Sequence, residues 1–198
     1  MEIMARLLFV FFISVVHLNM MAQNPLAITG QVKCQGDGVA NVVVTNGFDC
    51  VLTDASGKYT IPYHRDARFV YVTTPAGYLP QRDGSLPLFY QHIIEGTFIY
   101  DFSLVKNPRN DDRHLFLVQA DVQLGKGEDV AAYAEYLKDM REFINRHSEY
   151  DLFVLDCGDI VGNALSLFPS YKQTSDVLDV PMYRVIGNHD MEYGVRSY

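Results

Sequence analysis

Three short runs in this sequence carry side chains able to do chemistry. Asp121-Val122-Gln123, Gly158-Asp159 and Gly187-Asn188-His189-Asp190 supply carboxylates, carboxamides and an imidazole, the donor types that hold divalent cations or move a proton. Taken singly, each has a plain structural reading, because an Asp after an apolar run commonly serves as a turn residue or helix cap. Their co-occurrence shifts the balance. Carboxylates clustered in a crevice repel one another unless a cation or protons neutralise them, so a bound metal accounts for Asp121 and Asp159 together and gives His189 a reason to stand beside them.

The elements that must position these runs are legible as a pattern. An apolar-rich stretch over 114–120 suits a strand buried on both faces. From 129 to 150, apolar residues recur at Val130, Ala134, Leu137, Met140, Phe143 and Ile144, close to a helical period. Residues 151–156 read as a second buried strand and 179–186 as a third. The stretch 163–178 between them reads as helical in pieces, broken around Pro169. The order β-α-β-α-β specifies a parallel sheet with right-handed crossovers, and ligands in such sheets collect beyond the carboxyl ends of the strands. All three chemical runs fall at those ends. Two neighbours have blander readings: Asn163 as a helix N-cap, with contact to a substrate as the alternative, and Asp190 as a residue that orients its neighbours.

Upstream of a boundary near 106–112 the pattern changes. Stretches over 28–33, 39–45, 49–53, 58–62 and 68–73 are β-rich, and Gly36-Asp37-Gly38, Asn46-Gly47 and Ser56-Gly57 between them suit tight hairpins. Residues 75–84 read as loop and 96–105 as a closing strand. Residues 24–106 are therefore expected to form a small antiparallel β-sandwich of immunoglobulin-like or transthyretin-like character. His64 and His92 stand alone there, and nothing in this part clusters as a catalytic site.

Residues 1–23 have the composition of a signal peptide: Arg6, an apolar run over 7–16, then a more polar stretch ending in Ala22 and Gln23. The expected location is periplasmic or secreted, with membrane contact only through that segment. In an oxidising compartment Cys34 and Cys50 form a disulfide or remain two buried thiols, and Cys157 is expected to pack within its apolar run. The 198 residues and 48% apolar content allow a folded core, and the net charge of −8, without a Lys/Arg cluster, argues against a nucleic-acid-binding patch.

The three chemical runs, in this order and each at a strand end, resemble the first three motifs of calcineurin-like metallophosphoesterases, written DxH, GD and GNH[DE]. The stretch Gly38-Val39-Ala40-Asn41-Val42-Val43-Val44, the pair Thr53-Asp54 with Gly57-Lys58-Tyr59, and Pro75-Ala76-Gly77-Tyr78 are similar to the β-sandwich that precedes the phosphoesterase domain in exported bacterial members. The resemblance implies an α/β protein with a separate all-β domain, in which the first βαβαβ half of a phosphoesterase α/β sandwich occupies residues 107–198. It implies two divalent metal ions, Mn, Fe or Zn, and a phosphate-ester substrate hydrolysed by metal-activated water. Asp121 would bind the first metal, Asp159 would bridge both and Asn188 would bind the second. His189 would protonate the leaving oxygen or stabilise the transition state.

Two departures qualify the resemblance. Gln123 stands where the family has a histidine, and a carboxamide oxygen is a poorer ligand than imidazole for borderline metals. The family's later histidines, including a GHxH motif, do not occur before the sequence ends at Tyr198. The chain is therefore expected to be the front part of a longer hydrolase, inactive and poorly soluble by itself. A decayed, non-catalytic remnant and an exported β-sandwich binding module are the other two readings.

Overall fold

Burial alternates along β1 (Ala27–Cys34) and β5 (Lys58–Pro62), turning Ile28, Val32 and Cys34 inward from one and Tyr59 and Ile61 from the other, as a half-buried strand requires. The computed structural model describes residues 26–191, and the expected signal peptide lies outside the described residues. β1 pairs antiparallel with β5 and with β2 (Asp37–Gly38), and parallel with β11 (Phe102–Lys106), which pairs in turn with β7 (Tyr78–Pro80). A four-stranded sheet runs β10 (Tyr90–His92), β6 (Phe69–Val72), β3 (Val43–Thr45), β4 (Cys50–Leu52). Side chains from both sheets, Val32, Val42, Val44, Ile61, Val70 and Phe102 among them, share one buried cluster. Gly30 lets this packing close: a Cβ there would lie 1.9 Å from the Tyr100 carbonyl oxygen.

Residues 26–107 are thus rich in β-strand, with two corrections. The pairing is not wholly antiparallel, because β1 and β11 run side by side in the same direction. The stretch 75–84 is not loop. It contains β7 and β8 (Arg82–Asp83), and β8 turns back through Gly84 onto β9 (Leu86–Pro87). Strands of two or three residues have no periodicity of their own, and only their partners create them. Cys34 is buried, Cys50 exposed, and both thiols are free.

Beyond Lys106, β12 (His114–Gln119), β13 (Asp151–Asp156) and β14 (Met182–Arg184) form a parallel sheet in that order. Helix α1 (Gly127–Arg146) connects the first two. The Asp129 carboxylate accepts from the backbone N–H groups of Gly125 and Lys126 at 2.9 and 3.0 Å, closing the helix start. Tyr133, Leu137, Met140 and Ile144 make its inward stripe against Leu152, Val154 and Met182. Between β13 and β14 lie a 3₁₀ turn and α2 (Phe168–Ser175). Pro169 opens α2 rather than breaking it, since the first turn needs no N–H from that residue.

Two further expectations are corrected here. The sheet is not buried on both faces: both helices lie on one side, and Phe116 and Val118 on the other are 53% and 55% exposed. Cys157 is exposed, not packed: it follows Asp156, the last residue of β13. Just beyond β14, Val185 and Ile186 are exposed, and on β14 itself the Met182 N–H donates to the Ser85 carbonyl at 2.8 Å.

Candidate functional site

The three chemical runs meet at one edge because the pairing of the strands continues past their ends. The Cys157 N–H donates to Gln119 O at 2.9 Å, Asp121 N–H to Gly158 O at 3.0 Å, Gln123 N–H to Asp159 O at 2.9 Å and Leu124 N–H to Ile160 O at 3.1 Å. The first two loops are zipped together residue by residue. The third is tied to the second through side chains: His189 N–H donates to Asp159 Oδ1 at 3.0 Å. Asp190 is buried, and its carboxylate accepts from the N–H groups of Ile160, Val161 and Gly187 at 3.1, 2.8 and 2.8 Å. Its orienting role is therefore visible, and three amides that would otherwise lack acceptors are satisfied.

Two glycines permit this approach. Gly158 adopts φ +93°, and a Cβ on Gly187 would lie 2.0 Å from Asp159 Oδ1. Backbone strain concentrates at the same edge. Asp121 (φ 56°), Gln123 (φ 46°), Asp159 (φ 50°) and Asn163 (φ 62°) are non-glycine residues in the left-handed region, a cost that persists where surrounding structure over-determines it, most often at functional sites.

The side chains divide by environment. Asp121, Gln123 and Asn188 are exposed, and Asp159 and His189 are half-buried. The Gln123 amide nitrogen stands 3.4 Å from Asp121 Oδ1. His189 Nδ1 lies 3.2 Å from Asn163 Oδ1. Asn163 was expected as a helix N-cap; the 3₁₀ turn is instead preceded by Ala164, and Asn163 serves the imidazole. No sequence signal short of the fold links residues 163 and 189.

Residues 26–107 match the family model MetallophosN, the N terminal of Calcineurin-like phosphoesterase. This supports the calcineurin-like phosphoesterase family, through the β-rich part that precedes the site rather than through the site itself. No curated protein matches the chain.

As a donor set, Asp121, Asp159, Gln123 and Asn188 offer two carboxylates and two carboxamide oxygens, which fit a hard or borderline divalent cation. Among the described residues, no three His, Cys, Asp or Glu side chains converge as a metal cluster. Any cation here would therefore lean on the amides as well as the carboxylates.

Proposed function

We propose that this chain carries the front portion of a dinuclear metal site in a phosphoric-ester hydrolase that works outside the cytoplasm. In this reading residues 26–107 form a β-sandwich, and the βαβαβ part that follows is the first half of the phosphoesterase domain. Asp121 and Asp159 hold the cations with Gln123 and Asn188, and bound divalent cations would neutralise a phosphate ester and activate water for in-line attack. His189 works beside them. An amide oxygen only accepts, so the contact with Asn163 holds a hydrogen on Nδ1 and leaves Nε2 to face the ester, where a protonated ring can give its proton to the leaving oxygen. Asp190, buried beneath, keeps the second and third loops in register.

The observation that carries the reading is the meeting of three strand-end loops at one edge of oxygen donors, the first two zipped together with left-handed Asp121, Gln123 and Asp159 and the third tied on through the Asp159 and Asp190 carboxylates. The match of the preceding residues to a phosphoesterase N-terminal family supplies its chemistry. Titration of the full chain with Mn²⁺, followed by electron paramagnetic resonance, tests it. Saturable binding abolished by Asp159→Ala and strengthened by inorganic phosphate is expected. Absence of binding, or binding indifferent to Asp159→Ala, overturns the reading.

A further inference from the structure

The last level of the parallel sheet before the three loops is polar. Gln119 on β12, Asp156 on β13 and Arg184 on β14 are register partners across the three strands, and they precede Asp121, Asp159 and Asn188 by two, three and four residues. Gln119 is 6% and Asp156 1% exposed. Such a position in a parallel sheet is ordinarily Val, Ile or Leu, satisfied by packing alone; a buried carboxylate needs partners.

The partners form one chain of contacts. The Gln119 amide nitrogen lies 2.6 Å from Asp156 Oδ2 and 3.0 Å from the Tyr133 hydroxyl. The Tyr171 hydroxyl donates to the same Asp156 oxygen. Arg184 Nε reaches that hydroxyl at 3.3 Å, and its Nη2 reaches Ser175 Oγ at 2.8 Å and Ser85 Oγ at 2.6 Å. Burial pushes the Asp156 carboxyl up and the Tyr133 hydroxyl up to about 12, so Tyr133 stays neutral. Gln119 Oε1 and Asp156 Oδ1 remain without partners among the described residues, so the network is only partly satisfied.

Ser85 is fully buried and comes from the β8–β9 turn of the β-rich region. Every polar group it has is used across the boundary. Its N–H and hydroxyl donate to Asp176 Oδ1 at 2.7 and 2.8 Å, its hydroxyl oxygen accepts from Arg184, and its carbonyl accepts from Met182. Neighbouring Gly84, at φ +58°, admits the Asp176 carboxylate, which a Cβ would meet at 2.3 Å. Arg82–Asp179 at 3.2 Å and Lys172–Asp83 at 3.3 Å flank the contact.

We propose that Gln119, Asp156 and Arg184 form a positioning rung for the loops that bear Asp121, Asp159 and Asn188, and that Ser85 clamps this rung from the β-rich region, so that both parts of the chain build the site. The inference rests on the metal-site reading above. Hydrogen-bonded rungs fix direction as well as distance, and groups that orient metal ligands from behind typically govern metal affinity by 10–100-fold.

Ser85→Ala in the full chain tests this. In metal-free protein the backbone amide resonances of Asp121, Asp159 and Asn188 are expected to shift, and Mn²⁺ affinity to fall about tenfold. Val42→Ala, which destabilises the distant β core, leaves both unchanged. Unmoved amides with an affinity within about twofold of the parent overturn the proposal, as does an equal loss in Val42→Ala. If Ser85→Ala fails to fold, Arg184→Lys, which keeps the charge and loses the planar fork, is read by the same two measurements with the same deciding outcomes. A parent chain that binds no Mn²⁺ refutes the metal reading, while the amide shifts still decide whether the rung positions the loops.

Discussion

The imidazole of His189 and the carboxamide of Asn163 face each other at 3.2 Å across two loops, Nδ1 toward Oδ1, while the backbone of the same pair closes a second contact from Asn163 N–H to His189 O at 3.2 Å. One residue thus fixes both the ring and the main chain of the other. Asn163 adopts a left-handed φ of 62° to do so, a conformation asparagine tolerates better than most residues.

The tautomer of His189 should therefore depend on Asn163. Long-range ¹H–¹⁵N spectra of the neutral imidazole are expected to show the hydrogen on Nδ1 in the parent and a mixture of tautomers in Asn163→Ala. An unchanged tautomer would show that the ring is oriented by something else.

Asp190 should be the most stability-critical residue of the edge. Asp190→Ala leaves three N–H groups, those of Ile160, Val161 and Gly187, without their acceptor, and unsatisfied buried donors cost about 1–3 kcal/mol each before relaxation. A loss of about 3 kcal/mol in urea unfolding is expected, with Asp190→Asn, which retains one acceptor oxygen, losing less. A change under 1 kcal/mol for the alanine variant would contradict this account.

The uneven legibility of the molecule has physical reasons. Long periodic segments announced themselves: the helical stripe of Leu137, Met140 and Ile144 and the apolar runs ending at Gln119 and Asp156 coincide with α1, β12 and β13 to within a few residues. Strand ends located the candidate donors for the same reason, because a change from apolar to polar marks where a strand leaves the core. What stayed hidden depends on partners distant in sequence. β8 and β9 exist because Gly84 and Ser85 have Asp176 and Arg184 to meet. β1 and β11 are parallel because of a closure some 70 residues long. The exposed face at Phe116 and Val118 follows from where the helices cross, which apolar content cannot reveal. Gln119 and Asp156 read as strand ends, not as a buried polar level, because register between strands is invisible in one dimension.

The clamp between the two regions should weaken in acid. Partial burial pushes the Asp176 carboxyl up, but hydrogen bonds from the Ser85 N–H and hydroxyl, with Lys172 at 3.3 Å, outweigh it and hold the group below the ordinary carboxylate range. A depressed folded-state pKa stabilises above the unfolded value of about 3.9, and the contribution is lost as pH falls through the folded value. Asp176→Asn should accordingly be less stable than the parent at pH 6, with the difference shrinking at pH 3 in urea unfolding. A pH-independent difference would exclude the carboxylate as its source.

Gly187 tests whether the glycines of the edge are there for approach rather than for flexibility. Its φ of −100° and ψ of −174° are open to any residue, so backbone preference does not explain it. The space does: a Cβ would lie 2.0 Å from Asp159 Oδ1 and 2.3 Å from Asp159 N. Gly187→Ala must therefore push the third loop away from the second and break the His189 N–H contact to Asp159 at 3.0 Å. Overpacking of this kind costs typically about 1–3 kcal/mol, and the displaced donors should lower Mn²⁺ affinity at least tenfold, in line with misplaced ligand shells. Gly77→Ala separates the two kinds of glycine. That residue has φ +77° with nothing within 4 Å of its Cβ position, so it should lose stability through strain while Mn²⁺ affinity stays at the parent value. Equal losses of affinity in the two variants would mean that general destabilisation, not the Gly187–Asp159 approach, controls the edge.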